Sequence, residues 1–311
     1  MVSRLPDPYI ISKNILHAKQ FGSPIVALES TVITHGLPHP ENFVLAKDME
    51  NIVRENGASP ATIAILDGKI HIGLSDTELE VLAQEQGTRK ISLRDFGIAL
   101  AKGLSGGTTV ASTLFVSDLA GIKVFATGGI GGVHRGNPFD VSADLTQLGK
   151  SPVVVVCSGA KAILDLPATR EVLETRGVPV VGYQTDEFPA FYTRSSGLMV
   201  DARVDTPEEV AQIALETWEA GINAAVLLVV PPPEDSGMAQ DEMEVAIQKA
   251  LADAEAQNIH GSAITPFLLN RVSELTQGNS LSANLALLKN NARVAAKVAN
   301  AISANQQAGP Y

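Results

Sequence analysis

Residues 153–157 (VVVVC) form the most apolar short run of this 311-residue chain, and they decide its fold class. The run is continuous rather than alternating, which is typical of a strand buried on both faces of a parallel sheet. Five similar runs lie elsewhere in the chain, at residues 25–28, 62–66, 123–126, 178–182 and 224–230. Strands of this kind need helices on both faces of their sheet, so the pattern predicts an α/β fold.

Segments with helical periodicity alternate with these runs, at residues 42–56, 206–220 and 241–257. Their apolar residues recur every three or four positions, so each segment presents one face to a core. This alternation predicts three layers, α/β/α, around a central sheet that is largely parallel or mixed.

The C-terminal part differs, because residues 265–276 and 280–303 have helical patterns and no strand is predicted after Val230. These helices are expected to pack on the sheet rather than to form a separate unit. We therefore predict a single α/β domain over residues 1–311, with a frayed polar tail at residues 304–311.

The composition excludes several classes of protein. The chain is 45% apolar and only 18% charged, so it can bury a large core and is not mainly disordered. Its net charge of −11 argues against nucleic acid or an anionic membrane as the partner, since either would require a basic face. A single cysteine, Cys157, excludes a disulfide framework. No apolar run approaches the ~18 residues of a membrane span and residues 1–13 lack a signal-like apolar core, so we expect a cytoplasmic protein.

Glu29 directly follows the apolar run at residues 25–28. A carboxylate in this place is expected over the carboxyl edge of the sheet, where α/β folds bind ligands. Burial there raises the pKa of a carboxyl group and makes it a usable proton donor. The alternative interpretation is structural, with the glutamate paired to an arginine or capping a turn.

Two glycine-rich segments could approach a ligand closely. Residues 103–112 (GLSGGTTVAS) offer exposed amides and hydroxyls that suit an anion, although a tight turn explains the same residues. Residues 127–136 (TGGIGGVHRG) do not fit the dinucleotide pattern G-x-G-x-x-G, because His134 occupies the place of the last glycine. We interpret His134 and Arg135 as phosphate ligands.

Asp140 and Asp144 lie four residues apart. On a helix they would share one face, and two carboxylates suit Mg²⁺ or Mn²⁺. A helix N-cap with a solvated aspartate explains the same spacing equally well.

Other metal-ligating residue types carry less information. His35 and His39 are separated by a glycine and a proline that exclude a helix, so we predict a loop there and no histidine metal site. Cys157 lies in the most apolar run and is interpreted as a small core residue.

Lys161 follows the run at residues 153–157 through the small residues Ser158, Gly159 and Ala160, near the start of the next helical segment. A partly buried amine beside the positive end of a helix loses affinity for its proton. A neutral lysine attacks carbonyl carbons or the anomeric carbon of a sugar and gives a Schiff base. The alternative is a surface lysine whose stem covers the edge of the sheet.

Together these segments closely resemble the indigoidine synthase A-like family of pseudouridine-5'-phosphate glycosidases. The matching blocks run in the same order from about residue 24 to about residue 303. They are residues 26–31 (VALEST), 34–36 (THG), 60–64 (PATIA), 107–113 (GTTVAST), 121–136, 139–145 (FDVSADL), 159–161 (GAK), 182–185 (GYQT) and 265–269 (TPFLL).

The resemblance implies a homotrimeric α/β/α enzyme that reversibly cleaves the C–C glycosidic bond of pseudouridine 5'-phosphate to uracil and ribose 5-phosphate. It implies Lys161 as the nucleophile, Glu29 as the proton donor and Asp140 as the ligand of a divalent cation, usually Mn²⁺. Substrate contacts are implied for Lys90, Val110, Ser142, Ala143 and Asp144.

Such an activity is chemically consistent with these residue types. A C-glycoside has no oxygen or nitrogen leaving atom, so the two-carboxylate mechanism of O-glycosidases does not suffice. Attack by Lys161 at C1' would give a covalent adduct, and proton transfer to uracil C5 would release the base. Lys90 and His134 are expected to hold the phosphate. The alternatives are a related enzyme that acts on another base and a phosphosugar-binding protein without turnover.

Overall fold

The computed structural model of the protein describes residues 7–85, 87–259 and 264–308. Its centre is an eleven-stranded mixed sheet, and a three-stranded antiparallel sheet lies beside it. The strands are β1 (Tyr9–Ile11), β2 (Ile25–Leu28), β3 (Ser59–Leu66), β4 (Lys69–Ile72), β5 (Arg89–Ile91), β6 (Gly106–Thr108), β7 (Val124–Ala126), β8 (Val133–His134), β9 (Asn137–Val141), β10 (Val154–Cys157), β11 (Leu164–Asp165), β12 (Val180–Tyr183), β13 (Ala202–Val204) and β14 (Val226–Val229).

Helices fill the connections between the strands. They are α1 (Lys13–Gln20), α2 (Thr31–His35), α3 (Glu41–Glu55), α4 (Asp76–Gln84), α5 (Phe96–Lys102), α6 (Val110–Leu119), α7 (Ala143–Leu148), α8 (Leu166–Thr175), α9 (Pro207–Glu219), α10 (Gln240–Ala256), α11 (Ile264–Leu275) and α12 (Asn279–Ala308). Within the described ranges, none of these helices is long and apolar enough to cross a membrane.

The large sheet follows the order β1-β4-β3-β2-β7-β10-β14-β12-β13, and β6 joins β3 to β5. All neighbours from β3 to β13 along this path run parallel. The central strand β10 has no exposed side-chain surface, which is why its sequence is continuously apolar. The predicted α/β fold with a largely parallel or mixed sheet is confirmed.

The helices form a layer on each face of the sheet. Helices α3, α9 and α12 pack together on one face, where α12 also contacts β2, β7 and β10. Helix α7 contacts both α6 and α8. Because α7 and α8 connect parallel strands in the direction from β7 to β12, the right-handed crossover rule places them on the face opposite α3. The connection from β2 to β3 and the connections from β7 to β12 run in opposite directions along the sheet, so their helices lie on opposite faces. This arrangement gives the three predicted layers.

Local sequence signals explain where helices begin. Thr206 and Glu209 form a capping box ahead of α9, and Pro207 occupies its first turn as predicted. The long predicted helices are confirmed within one or two residues at most ends. The C-terminal helix α12 continues to Ala308 and so includes residues 304–308 of the tail predicted to fray, whereas residues 309–311 lie outside the described part of the chain.

One local prediction is wrong, and one of the two alternatives for the spacing of Asp140 and Asp144 is excluded. His35 ends the short helix α2 rather than lying in a loop, because the glycine and proline that follow it terminate the helix without preventing it. Asp140 and Asp144 do not share a helix face, because Asp140 lies on β9 while Asp144 lies in the first turn of α7. The residue between the two elements, Ser142, is the N-cap of α7 and takes extended backbone angles.

Candidate active site

Three adjacent parallel strands bring the main candidate residues to one edge of the sheet. Leu28 of β2 pairs with Ala126 of β7, and Ala126 pairs with Val156 of β10. The chain therefore leaves all three strands at the same level, with Glu29 following the first and Thr127 the second. This edge is the carboxyl end of the strands, where open α/β sheets bind ligands.

Glu29 is held by a neighbour that the sequence did not identify. The Thr127 hydroxyl donates a hydrogen bond to Glu29 Oε1. Burial raises the pKa of the Glu29 carboxyl, and the charge of Lys161 and the Thr127 hydrogen bond oppose that rise. The net rise in the pKa favours the protonated carboxyl, which is the form expected of a general acid.

The Lys161 side chain points to the segment that follows β7, which also contains Thr127. Its Nζ donates to the carbonyl oxygen of Gly129 at 3.0 Å, and its backbone amide donates to Ile130 at 3.1 Å. The expected helix terminus is not adjacent, because β11 intervenes and α8 begins only at Leu166. The charged groups around Lys161 are side chains instead, with Glu29 and Lys90 within electrostatic range.

Lys90 enters from a separate part of the sheet. It lies on β5, which pairs with β6, and β6 in turn runs antiparallel to β3. Burial lowers the pKa of Lys90, and repulsion from Lys161 lowers it further, while Asp144 and Glu29 act in the opposite direction. Two lysines and two carboxylates therefore form one electrostatic cluster.

Asp144 connects this cluster to two backbone segments. Its Oδ1 accepts from the amide of Ala111 in α6, and its Oδ2 accepts from the amide of Gly131, both at 2.8 Å. Both carboxylate oxygens are thus engaged by backbone donors. Val110, at the start of α6, and Ser142, which caps α7, lie directly beside these contacts. Ala143 is the exposed first residue of α7.

The small sheet carries the remaining predicted residues. His134 lies on β8 and Asp140 on β9, and both are partly exposed. Arg135 does not fit the phosphate role predicted for it. Its guanidinium pairs with Glu244 at 2.6 Å and donates to the carbonyl groups of Ala162 and Leu164.

The donor set limits what kind of metal site is available. Among residues 7–85, 87–259 and 264–308 there is no group of three or more His, Cys, Asp or Glu side chains that could enclose a metal ion. Each Asp144 oxygen already accepts a hydrogen bond from a backbone amide, and Asp140 lies on a different element. Asp140 alone offers a hard oxygen ligand, which fits a largely hydrated Mg²⁺ or Mn²⁺ rather than a tetrahedral zinc.

Buried hydroxyls explain the GTT block at residues 107–109. The amide of Thr108 donates to Ser30 Oγ at 2.9 Å, and Ser30 Oγ donates to the carbonyl of Ile63 at 2.6 Å. Gly107 lies so close that a Cβ there would stand 2.4 Å from Thr34 Oγ1. The block is therefore a tightly packed strand followed by the start of a helix.

The sequence also matches a known family profile. Residues 14–301 match the profile described as indigoidine synthase A like protein. The chain belongs to the indigoidine synthase A-like family. The resemblance stated from the sequence blocks is thus confirmed, and so is the prediction of an enzyme.

Named relatives cover almost the whole chain. A pseudouridine-5'-phosphate glycosidase from Caldanaerobacter subterraneus is 53% identical over 93% of this chain and 95% of that protein. One from Geobacillus kaustophilus is 50% identical over 96% of this chain and 99% of that protein.

Two solved structures share the fold. The indigoidine synthase A-like protein from Thermotoga maritima superposes with a TM-score of 0.86 at 40% identity, covering 94% of this chain and 95% of that one. The prealnumycin C-glycosynthase AlnA in complex with ribulose 5-phosphate gives a TM-score of 0.90 at 41% identity, covering 98% of this chain and 100% of that one.

Proposed function

We propose that this protein reversibly cleaves the C–C glycosidic bond of pseudouridine 5'-phosphate, giving uracil and ribose 5-phosphate. The observation that carries the proposal is the meeting of Glu29 and Lys161 on one short segment, through the Thr127 hydroxyl and the Gly129 carbonyl. Relatives about half identical over nearly the whole chain bear the name of this activity.

The chemistry assigns a proton donor and a nucleophile to these two side chains. The Lys161 amine bonds to C1', the C1'–O4' bond breaks, and O4' takes a proton from Glu29. The lysine nitrogen, a secondary ammonium after the attack, returns a proton to the Glu29 carboxylate, which delivers it to uracil C5. The C1'–C5 bond then breaks, its electron pair staying with uracil while the lone pair of the lysine nitrogen forms the Schiff base. Water hydrolyses that Schiff base, which releases ribose 5-phosphate and restores the amine.

We assign the anionic end of the substrate to Lys90 and His134, with Val110, Ser142, Ala143 and Asp144 contacting the rest. The two Asp144 hydrogen bonds hold α6 and the glycine-rich segment together, so the substrate meets a preformed floor. Binding a remote phosphate positions C1' against the amine and converts binding energy into rate.

We also assign a divalent cation, Mn²⁺ or Mg²⁺, to Asp140. A single carboxylate on a partly exposed strand suits an ion that keeps most of its water. When bound, the cation would supply positive charge and ordered water near the polar floor of the site. Titration of Mn²⁺ followed by electron paramagnetic resonance should show binding that Asp140→Asn abolishes, and unchanged binding in that variant would contradict the assignment.

The proposed assembly is a homotrimer in the cytoplasm. Phe139, next to Asp140 on β9, leaves 95% of its surface exposed in the single chain, which favours burial against another copy. Sedimentation should give three times the 32.6 kDa chain mass. A monomer at micromolar concentration would contradict this.

The activity is tested by release of uracil from pseudouridine 5'-phosphate, with and without Mn²⁺. Incubation with ribose 5-phosphate and borohydride should trap an adduct on Lys161 that peptide mass spectrometry locates. Lys161→Ala should lose both turnover and adduct, while the exposed control Lys150→Ala should keep both. Full turnover in Lys161→Ala would reject the mechanism.

The similarity to a C-glycosynthase supports a second candidate, a related enzyme that joins or separates another base and a pentose phosphate. Comparing turnover of pseudouridine 5'-phosphate with other C-linked nucleotides decides between the two. Binding of ribose 5-phosphate with no turnover of any of them would instead indicate a phosphosugar-binding protein.

A further inference from the structure

Asn291 is a completely buried amide on α12, far along the sequence from the residues of the site. Its Nδ2 donates to the carbonyl oxygen of Thr127 at 2.9 Å and lies 3.5 Å from that of Gly128. The same amide group exchanges hydrogen bonds with Ser158, from Nδ2 to Oγ at 3.2 Å and from Oγ to Oδ1 at 3.3 Å. It therefore joins the segment after β7 to the segment after β10.

The orientation of this amide follows from its partners. The carbonyl groups of Thr127 and Gly128 can only accept, so the nitrogen must face them. The oxygen then faces the Ser158 hydroxyl, which can donate to it. Neither an aspartate nor a leucine of similar size could meet the same set of partners.

The two joined segments carry both proposed reactive groups. Thr127 donates to Glu29, and Gly129 accepts from Lys161 Nζ. Backbone hydrogen bonds connect the segments further, from Ser158 to Gly128 at 2.9 Å and from Thr127 to Val156 at 3.0 Å.

Helix α12 rests directly on the first of these segments. A Cβ on Gly128 would lie 3.1–3.3 Å from Leu287 and Leu288 of α12, so the helix and the loop are in close contact. Asn291 is one turn further along the same helix and supplies the polar contacts at this junction. A small shift of this loop would move the Thr127 hydroxyl and the Gly129 carbonyl together.

We propose that Asn291 is a positioning residue that sets the placement of Glu29 relative to Lys161, an inference that rests on the proposed function. It does not touch the substrate, and it acts through Thr127, Gly128 and Ser158. Losing it should therefore lower the rate of the chemical step more than it weakens substrate binding. A misplacement of about 1 Å costs on the order of a hundredfold in rate.

The test compares Asn291→Ala with Asn300→Ala. Asn300 lies on the same helix and donates to a distant carbonyl, that of Asn56 at 2.8 Å, so both variants lose a tertiary amide contact. For Asn291→Ala we expect kcat to fall on the order of a hundredfold with KM changed less than about threefold. Asn300→Ala should keep kcat within about twofold of the unchanged protein.

A pH profile separates positioning from a loss of folded protein. We assign the alkaline limb of the kcat/KM profile to ionisation of Glu29. Replacing Thr127 by valine removes the hydroxyl that contacts Glu29 and should move this limb. Asn291→Ala should move the limb in the same direction, and Asn300→Ala should leave it in place. If Asn291→Ala does not fold, Asn291→Ser keeps a hydroxyl for one partner and is measured in the same way. The inference would be overturned if kcat fell equally in the Asn291 and Asn300 variants. An unchanged alkaline limb of kcat/KM in a folded Asn291 variant would also overturn it. Absence of turnover in the unchanged protein would instead reject the proposed function.

Discussion

The Thr127 hydroxyl hydrogen-bonds the Glu29 carboxylate across 98 positions of sequence. The two residues each follow a strand of the parallel sheet, and the pairing of β2 with β7 places them side by side. A donor to a carboxylate favours its ionised form, so Thr127 lowers the pKa of Glu29 while burial raises it. The protonation of the proposed acid is therefore set by two opposing effects.

Replacing Thr127 by valine removes one of these effects. The pKa of Glu29 should rise, because burial then acts without the hydroxyl that opposes it. With Glu29 required in its protonated form, the alkaline limb of kcat/KM should move to higher pH, and the profile from pH 5 to 10 measures this. Thr175→Val is the control, since its exposed hydroxyl bonds only within α8. A limb that moves to lower pH would contradict the assignment.

Glu29→Gln should abolish turnover but stabilise the fold at alkaline pH. The folded-state pKa of Glu29 is raised above its unfolded value, so ionisation of this group costs stability as the pH rises through the folded pKa. The stability of Glu29→Gln relative to the unchanged protein, measured as the free energy of urea unfolding, should therefore be larger at pH 8 than at pH 5. The exposed Glu171→Gln serves as control. A variant relatively less stable at pH 8 would show that the ionised form is the favoured one.

Lys90→Gln should weaken binding of the phosphorylated substrate. Loss of a charge-assisted contact should raise KM by about tenfold at pH 7.5. Because burial and Lys161 lower the pKa of Lys90, the unchanged protein should also lose affinity as the pH rises through that pKa. KM measured from pH 7.5 to 10 should rise in the unchanged protein and stay flat in Lys90→Gln. Lys102 is exposed, so Lys102→Gln is the control and should behave like the unchanged protein. If KM does not depend on pH in the unchanged protein and in Lys102→Gln, Lys90 does not bind the phosphate.

Gly131→Ala should disrupt the floor of the site. A Cβ at this position would lie 2.2 Å from Ser142 Oγ and 2.8 Å from Asp144 Oδ2, so the contacts between α7 and the glycine-rich segment must shift. We expect a large loss of kcat/KM, on the order of a hundredfold. Gly97→Ala is the matched control, because a Cβ there meets no atom within 4 Å. Gly97→Ala should stabilise α5 by about 0.4–1 kcal/mol and leave the activity unchanged. Equal activities of Gly131→Ala and Gly97→Ala would contradict the prediction.

Much of the fold could be predicted because its signals are local. The apolar run that forms β10 and the proline at the start of α9 act on their own neighbours, so periodicity and capping locate them. Short edge strands such as β1 and β5 have no such signal, since three residues are too few for a pattern and their pairing depends on distant partners. Helix α2, which ends at His35, was not predicted either, because its five residues are too few to show a helical pattern.

The candidate site was only partly predictable. Glu29 and Lys161 stand at strand ends, which is a recognisable position, and the family resemblance marked both. Thr127 directly follows the predicted strand at residues 123–126 and precedes the glycines, a signal that could have been used. Asn291 offered none, because an asparagine in a long helix acquires its role only from the loops that pack against it.

The sequence alone determined the α/β class, the order of its main strands and helices, and the family to which the chain belongs. These follow from hydrophobic periodicity and from blocks of residues that keep their order. Only the tertiary structure decided that Asp144 serves backbone amides, that Arg135 pairs with Glu244, and that Thr127 and Asn291 support the reactive pair. Hydrogen bonds and burial depend on which atoms come together in space, and these contacts are set by strand pairing and helix packing between segments that are far apart in the sequence.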